Sequence, residues 1–491
     1  MKHYAHVTAD VDQSRGGRTT AAFFDFDGTL IAGYSVLSFL RHRALSGNMP
    51  PREAVEQLVA GWEYGLNMTD FAGILAQTAA SLRGVSERLI QDTALQIYET
   101  ELSGNIYPES RALVDAHIAK GHTVVIVSSA TQYQVQHVAA ELGIEHVLCN
   151  RLDVKDGALS GELVPPICYG QGKVEAATEF ARQNNISLGK SFFYTDGGED
   201  TPLLEAVGFP RPLNPDGRLL NKARREGWPV QNFASRGLPS FWDVARTGLV
   251  YGGFVGSFLA GLPGWFLNKS RRELINTAIP IWGDFGSAAA GLDVTIEGEE
   301  HLWSHRPAVF VFNHQSATDA LILARLLRRN FSGVAKAEMQ SNPLVGTILG
   351  AVGTMFIDRG NHDRAVEALR PAVSHLKKGI SIAIAPEGHR SLGYKLGPFK
   401  MGAFHIAMQA AAPIVPIVIQ NSSDSMPSSG TIIRPANINV EVLPPVATND
   451  WTAKTIHEHA DEIRQMFLKK LGQTGNKDVQ LRSVKQTQQS A

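Results

Sequence analysis

The chain has 491 residues, room for two to four domains at roughly 150 residues each. Charged residues make up 19% and the formal net charge is −1, so no basic excess points to nucleic acid and any anionic partner has to be held locally. The two cysteines, Cys149 and Cys168, lack metal-type spacing, which speaks against a disulfide framework or a zinc site and suits a reducing compartment.

Residues 1–18 are polar and carry no apolar stretch of the signal-peptide kind, and are expected to be a flexible tail. The first strand signal is Ala21-Ala22-Phe23-Phe24, running into Asp25-Phe26-Asp27-Gly28-Thr29. From Ser35 to about Leu102 apolar residues recur every three or four positions, predicting helices. A helix over Ser110–Lys120, a strand over Thr123–Val127 and a strand over Phe192–Tyr194 follow, the alternation of a parallel α/β sheet. Thr247–Asn268 has no charged residue, with Arg246 before it and Lys269, Arg271 and Arg272 after it. That length and those basic flanks suit contact with anionic lipid, although its glycines and Pro263 predict an interrupted helix rather than a full span; a linker plus a buried helix is the alternative. A second αβ pattern places strands at Ala308–Phe312, Ser381–Ala385 and Ile414–Ile419 and a helix over Asp319–Arg329. The Gln- and Ser-rich end from about Gly472 is expected to be disordered. No internal repeat is evident.

Two candidate sites emerge. In the first, Asp25 and Asp27 end a strand, where open α/β sheets place ligands. One carboxylate can attack phosphorus while the other moves a proton, and so close a pair of anions calls for a divalent cation; Mg²⁺ prefers such oxygen ligands. Ser128 at the next strand end and Lys173 can hold a phosphate, and Asp196-Gly197-Gly198-Glu199-Asp200 adds acids for a metal. This ordered set resembles the haloacid-dehalogenase superfamily, in its phosphoserine-phosphatase-like branch, over about Thr20–Ser235. The resemblance implies a Rossmann-like parallel sheet with a helical cap at about 33–104. It implies Asp25 as nucleophile, Asp27 as general acid/base, Ser128 and Lys173 as phosphate ligands, and Mg²⁺ held by Asp25, the Asp27 carbonyl and Asp196 with Asp200 in support. Gly197 and Gly198 depart from that branch, which often has Ser or Asn there.

In the second, Asn313-His314-Gln315-Ser316-Ala317-Thr318-Asp319 follows a strand and opens a helix. An imidazole can take a proton from a hydroxyl near neutral pH when a carboxylate fixes its tautomer, and with His314 in the loop and Asp319 in the first turn the two can meet. Thr318 can cap that helix. Arg359, and Glu387-Gly388-His389-Arg390, follow at later strand ends, the arginines suited to bidentate phosphate binding and Glu387 to orienting Arg390 or an acceptor hydroxyl. Lys336 and Lys400 can add charge. The whole resembles the 1-acylglycerol-3-phosphate acyltransferase family over about Leu292–Leu471, with His389 where that family has Thr and Ala385 where it has a bulky residue. The resemblance implies transfer of an acyl group from acyl-CoA or acyl carrier protein to the sn-2 hydroxyl of lysophosphatidate, giving phosphatidate. It implies His314 and Asp319 as the catalytic pair, and Asn313, Arg359, Glu387, Gly388 and Arg390 as substrate ligands. It also implies work at the cytoplasmic face of a membrane, peripheral, monotopic or through a single span.

The expected organisation is therefore a phosphatase domain over 19–236, an apolar helical segment over 237–291, an acyltransferase domain over 292–471 and a tail over 472–491. A small-molecule phosphatase tethered to a membrane, and an acyltransferase governed by an inactive phospho-ligand sensor, are the competing readings.

Overall fold

The computed structural model describes residues 4–45, 71–341, 346, 349–350, 353–357, 362–391, 394–428 and 430–473. The chain divides into two compact units, Met1–Leu238 and Pro239–Asn476.

In the first unit the strands are β1 (Ala21–Phe24), β2 (Thr123–Thr131), β3 (His146–Lys155), β4 (Ala158–Val164), β5 (Phe192–Thr195) and β6 (Phe209–Pro212), in sheet order β4-β3-β2-β1-β5-β6. All neighbours are parallel except β3 and β4. β1 lies in the middle and every residue of Ala21-Ala22-Phe23-Phe24 is buried, as a strand covered on both faces requires. Phe24 stacks on Tyr194 of β5 at 4.5 Å between ring centroids. Trimming such a ring to Ala costs roughly 3–5 kcal/mol.

The helices are α1 (Ala5–Gln13), α2 (Ser35–Leu45), α3 (Phe71–Ser81), α4 (Glu87–Ile97), α5 (Pro108–Ala119), α6 (Gln132–Leu142), α7 (Gln171–Gln183), α8 (Thr201–Ala206) and α9 (Gly217–Glu226). Within the expected tail, α1 is ordered against the core instead: Val7 and Val11, four apart, are buried with Leu113 and Val114 of α5. The cap region contains α2, α3 and α4, with 46–70 outside the described residues. An unexpected antiparallel hairpin, β3–β4, packs with it through Ala79, Ala94, Leu152 and Leu159. Its turn is Asp156-Gly157, both with positive φ (53° and 76°), the two-residue geometry that suits a hairpin's twist.

The second unit begins with two helices, α10 (Phe241–Asn268) and α11 (Arg271–Ala290). Its strands are β7 (Leu292–Glu297), β8 (Val309–Phe312), β9 (Phe331–Lys336), β10 (Met355–Ile357), β11 (Ser381–Ile384), β12 (Ile414–Gln420) and β13 (Ala436–Val442). Sheet order is β10-β9-β11-β8-β12-β13-β7, with only the β12–β13 pair antiparallel. The remaining helices are α12 (Asp319–Leu327), α13 (His362–Lys377), α14 (Gly402–Ala410), α15 (Ser422–Ser425) and α16 (Ile456–Lys470). Separate apolar cores cover the two faces of the sheet, and β8 is central and wholly buried.

One expectation for 237–291 fails. α10 runs unbroken through Pro263 for 28 residues, opened by a Ser240/Asp243 capping box; proline removes one ladder donor without ending this helix. From Pro239 onward the segment belongs to the second unit. Trp282 Nε1 donates to the Val250 carbonyl at 3.1 Å, and Ile433 N–H donates to Thr247 Oγ1 at 2.9 Å. A Cβ on Gly283 would lie 2.4 Å from the Arg325 nitrogen, so α11 rests backbone-close on α12. Yet α10 also turns Phe241, Trp242, Leu249, Val255, Leu259 and Phe266 outward, and it is long and apolar enough to cross a membrane.

Candidate active sites

The first site gathers at the C-terminal ends of β1, β2 and β5. Asp25 is buried directly after β1, its N–H continuing the ladder to the Tyr194 carbonyl. Lys173 Nζ reaches both Asp25 Oδ1 (3.1 Å) and Asp200 Oδ2 (2.8 Å) from full burial. Burial opposes the charge on Lys173, but the two carboxylates prevail and hold its ammonium protonated. Thr195 Oγ1 donates to Asp200 Oδ2 at 2.7 Å, while Asp200 Oδ1 is buried without a hydrogen-bond partner.

Asp27 is gripped by Ser35 at the start of α2, which donates through N–H (2.6 Å) and Oγ (3.1 Å). Gln134 Nε2 on α6 donates in turn to Ser35 Oγ. Ser35 and Gln134 are site residues that sequence reasoning missed; only their distance from the Asp-x-Asp pair hid them. Burial pushes Asp27 up to about 6. Asp25 rises to about 7, through burial and then Asp200, against the pull of Lys173. Asp196 rises to about 8, through burial and then Asp25 and Glu199. Gly28 (φ 70°) is obligatory, since a Cβ there would sit 1.9 Å from Asp196 Oδ2. Ser128 is buried at this edge, its Oγ accepting the Ala130 N–H at 3.1 Å.

Among the described residues, no three His, Cys, Asp or Glu side chains converge tightly enough to hold an ion as they stand. The donor set nevertheless fits Mg²⁺: hard oxygen ligands beside the unpartnered Oδ1 of Asp200, with the carboxyls of Asp25 and Asp196 pushed towards protonation by burial first and by neighbouring acids second.

The second site sits at the C-terminal ends of β8 and β11. His314 Nδ1 and Asp319 Oδ2 are 2.7 Å apart, as the five-residue spacing predicts. Asp319 is fully buried, and its Oδ2 also accepts the N–H groups of Gln315 and Ser316, both at 2.9 Å. An acceptor at Nδ1 places the ring proton there and leaves the Nε2 lone pair for substrate. Thr318 does not cap α12; its hydroxyl joins those of Ser316 (2.8 Å) and Ser425 (2.7 Å) in a buried chain ending on the Met426 carbonyl.

Asn313 is buried and turned towards β12. Its amide donates to the Ile419 carbonyl (2.8 Å) and accepts the Ile419 N–H (2.7 Å), so both ends of the side chain are occupied in clamping β8 to β12. Glu387 orients neither Arg390 nor an open acceptor position: it is buried and accepts from His314 N–H, Ser391 Oγ and Gly397 N–H. Gly388 supplies the turn with φ 81°. Arg390, His389 and Lys400 are exposed beside this loop. Arg359 and the side chain of Lys336 lie outside the described residues.

Two family models match the chain: haloacid dehalogenase-like hydrolase over residues 22–205 and acyltransferase over residues 293–420. An inhibition of morphological differentiation protein from Streptomyces azureus is 31% identical over 266 residues, 52% of this chain and 95% of that protein. A probable phosphatase from Mycobacterium tuberculosis is 34% identical over 221 residues, 44% of this chain and 76% of that protein. A 1-acyl-sn-glycerol-3-phosphate acyltransferase from Saccharomyces cerevisiae is 35% identical over 189 residues, 38% of this chain and 62% of that protein, so the chain spans just under two thirds of its length. The chain therefore belongs to the haloacid dehalogenase-like hydrolases. More particularly, it is a fusion enzyme in which such a hydrolase domain precedes an acyltransferase domain.

Proposed function

We propose that the C-terminal unit transfers a fatty acyl group from acyl-CoA or acyl carrier protein to the sn-2 hydroxyl of lysophosphatidate, and that the N-terminal unit is a Mg²⁺-dependent phosphomonoesterase acting on the phosphatidate formed. The observation that carries the first half is the His314–Asp319 pair with a free Nε2. Nε2 takes the proton of the acceptor hydroxyl as its oxygen attacks the thioester carbonyl. The tetrahedral adduct collapses, the C–S bond breaks, and the thiolate takes the proton back from the imidazolium, which Asp319 stabilises in the meantime. Arg390, exposed on the loop whose Ser391 N–H bonds the His314 carbonyl, suits the acceptor's phosphate.

In the other unit, Asp25 attacks phosphorus and becomes an aspartyl phosphate, while Asp27 protonates the leaving oxygen. Asp27 then takes a proton from the water that releases phosphate. The lift of Asp27 to about 6 suits both tasks near neutral pH. Asp25, the Asp27 carbonyl and Asp196, supported by Asp200, would hold Mg²⁺, which when bound would neutralise the neighbouring acids and polarise the phosphate. Exposed Tyr34, Val36 and Leu37 flank Ser35 and favour an amphipathic phosphomonoester over a fully soluble one. The outward apolar residues of α10, with Lys269 packed on Trp265 and Phe266 at 5.2 Å, support seating at the cytoplasmic face of a membrane.

Labelled lysophosphatidate with acyl-CoA tests the coupling: phosphatidate and then, with Mg²⁺, diacylglycerol are expected. Accumulating phosphatidate beside hydrolysis of soluble phosphomonoesters would favour the tethered small-molecule phosphatase. No hydrolysis at all with retained phosphate binding would favour the sensor.

A further inference from the structure

The main chain of His314 is held at both polar atoms by the loop after β11. Its N–H donates to Glu387 Oε1 at 3.0 Å, and its carbonyl accepts the Ser391 N–H at 2.6 Å. The Ser391 hydroxyl donates at 2.6 Å to Glu387 Oε2, which also takes the Gly397 N–H at 2.8 Å. Glu387 and Ser391 are only 1% and 5% exposed, so water does not compete for these bonds. Asp319 fixes the imidazole at Nδ1 but does not bond the backbone of residue 314. That second anchor comes from Glu387, and a buried carboxylate keeps its place only while its oxygens are satisfied. Ser391 also directly follows Arg390, an exposed cation of the same loop.

We infer that Ser391 is a positioning residue for acyl transfer: its hydroxyl holds the Glu387 carboxylate that carries the His314 main chain, tying the phosphate-binding loop and the general base into one frame. This rests on the acyl-transfer reading above. Ser391 touches no reacting atom; its effect passes through Glu387 to the ring. A displacement of about 1 Å in a reacting group is enough to cost roughly 10²-fold in rate. Without the hydroxyl, Oε2 keeps only the Gly397 donor, and the anchor at His314 N–H loosens. Threonine keeps a hydroxyl on the same carbon, whereas cysteine keeps the shape with a weak donor.

The test uses the full-length enzyme on phosphatidylcholine vesicles containing lysophosphatidate, with acyl-CoA as donor. Ser391→Ala is expected to lower kcat about 10- to 100-fold while KM for lysophosphatidate stays within about threefold. Ser391→Thr should recover most of the loss at an unchanged unfolding midpoint. Should the alanine variant not fold, Ser391→Cys gives the same comparison: a fall in kcat supports the inference, and a kcat equal to wild type overturns it. An increase in KM alone, marking Ser391 as a mere phosphate ligand, overturns it, as does a folded threonine variant no better than alanine. A wild-type enzyme without acyl transfer defeats the acyltransferase reading and the inference with it, whereas active wild type with fully active Ser391→Ala defeats the inference alone.

Discussion

The Nδ1 of His314 lies 2.7 Å from the Oδ2 of Asp319, and that one oxygen also takes two backbone N–H groups of the intervening loop. Asp319 thus builds the loop and sets the tautomer with a single atom. Asp319→Asn can keep these bonds through its amide oxygen but loses the charge that stabilises the imidazolium. Acyl transfer should fall roughly 10²-fold or more with the fold retained, as when triad carboxylates are neutralised. Rates and circular dichroism on the same sample check this; an unchanged rate would remove Asp319 from the chemistry.

Gly28→Ala should abolish phosphatase turnover. The new Cβ would stand 1.9 Å from Asp196 Oδ2, at a backbone φ of 70°, so either the acid or the Asp-x-Asp turn must move. Hydrolysis of p-nitrophenyl phosphate reports it, and the acyl-transfer rate of the same protein is expected to be unaffected.

His117 joins two partners inside the first unit, His122 through Nδ1 (2.8 Å) and the Tyr194 hydroxyl through Nε2 (2.9 Å), while His122 Nε2 meets the Arg15 carbonyl. Burial first, then the neighbouring cationic groups, depresses His117 well below 6.5, and burial also lowers His122. At this pair the folded state binds fewer protons than the unfolded one, so the pair's contribution to stability is full above about 6.5 and falls as pH drops below it. The raised carboxyls of Asp25, Asp27 and Asp196 act in the opposite sense over the same range, so the pair is read by difference: the stability that His117→Gln costs should shrink as pH falls from about 6.5 to 5, and a cost independent of pH would discount the pair.

Leu259→Glu with Phe266→Glu, both on the outward side of α10, should weaken vesicle binding without unfolding the protein. Each exposed apolar side chain that enters lipid contributes about 1.5–3 kcal/mol, so losing two should cost at least tenfold in partitioning. Sedimentation with anionic vesicles measures it, and undiminished binding would place the membrane contact elsewhere.

The sheets and the His314–Asp319 pair were legible because each is local: a buried apolar strand ends, and the reacting residues follow within a few positions. What escaped depends on contacts far apart in sequence. Ser35 serves Asp27 from eight residues away but needs Gln134, 99 residues further on, to aim it. Asn313 looked like a ligand because it precedes His314, yet its partner is Ile419, 106 residues later. Glu387 and Ser391 were visible as a motif, while their grip on His314 arises only from the pairing of β8 with β11. The β3–β4 hairpin has its signal in Asp156-Gly157 between β-rich runs, and α1 in Val7 and Val11, whose apolar spacing is a single pair within an otherwise polar stretch.

The most direct measurement is acyl transfer from labelled acyl-CoA to lysophosphatidate by His314→Ala beside wild type, with phosphatase activity followed in both. Loss of transfer with phosphatase activity intact is the expected result; transfer at the wild-type rate by the folded variant would contradict the account.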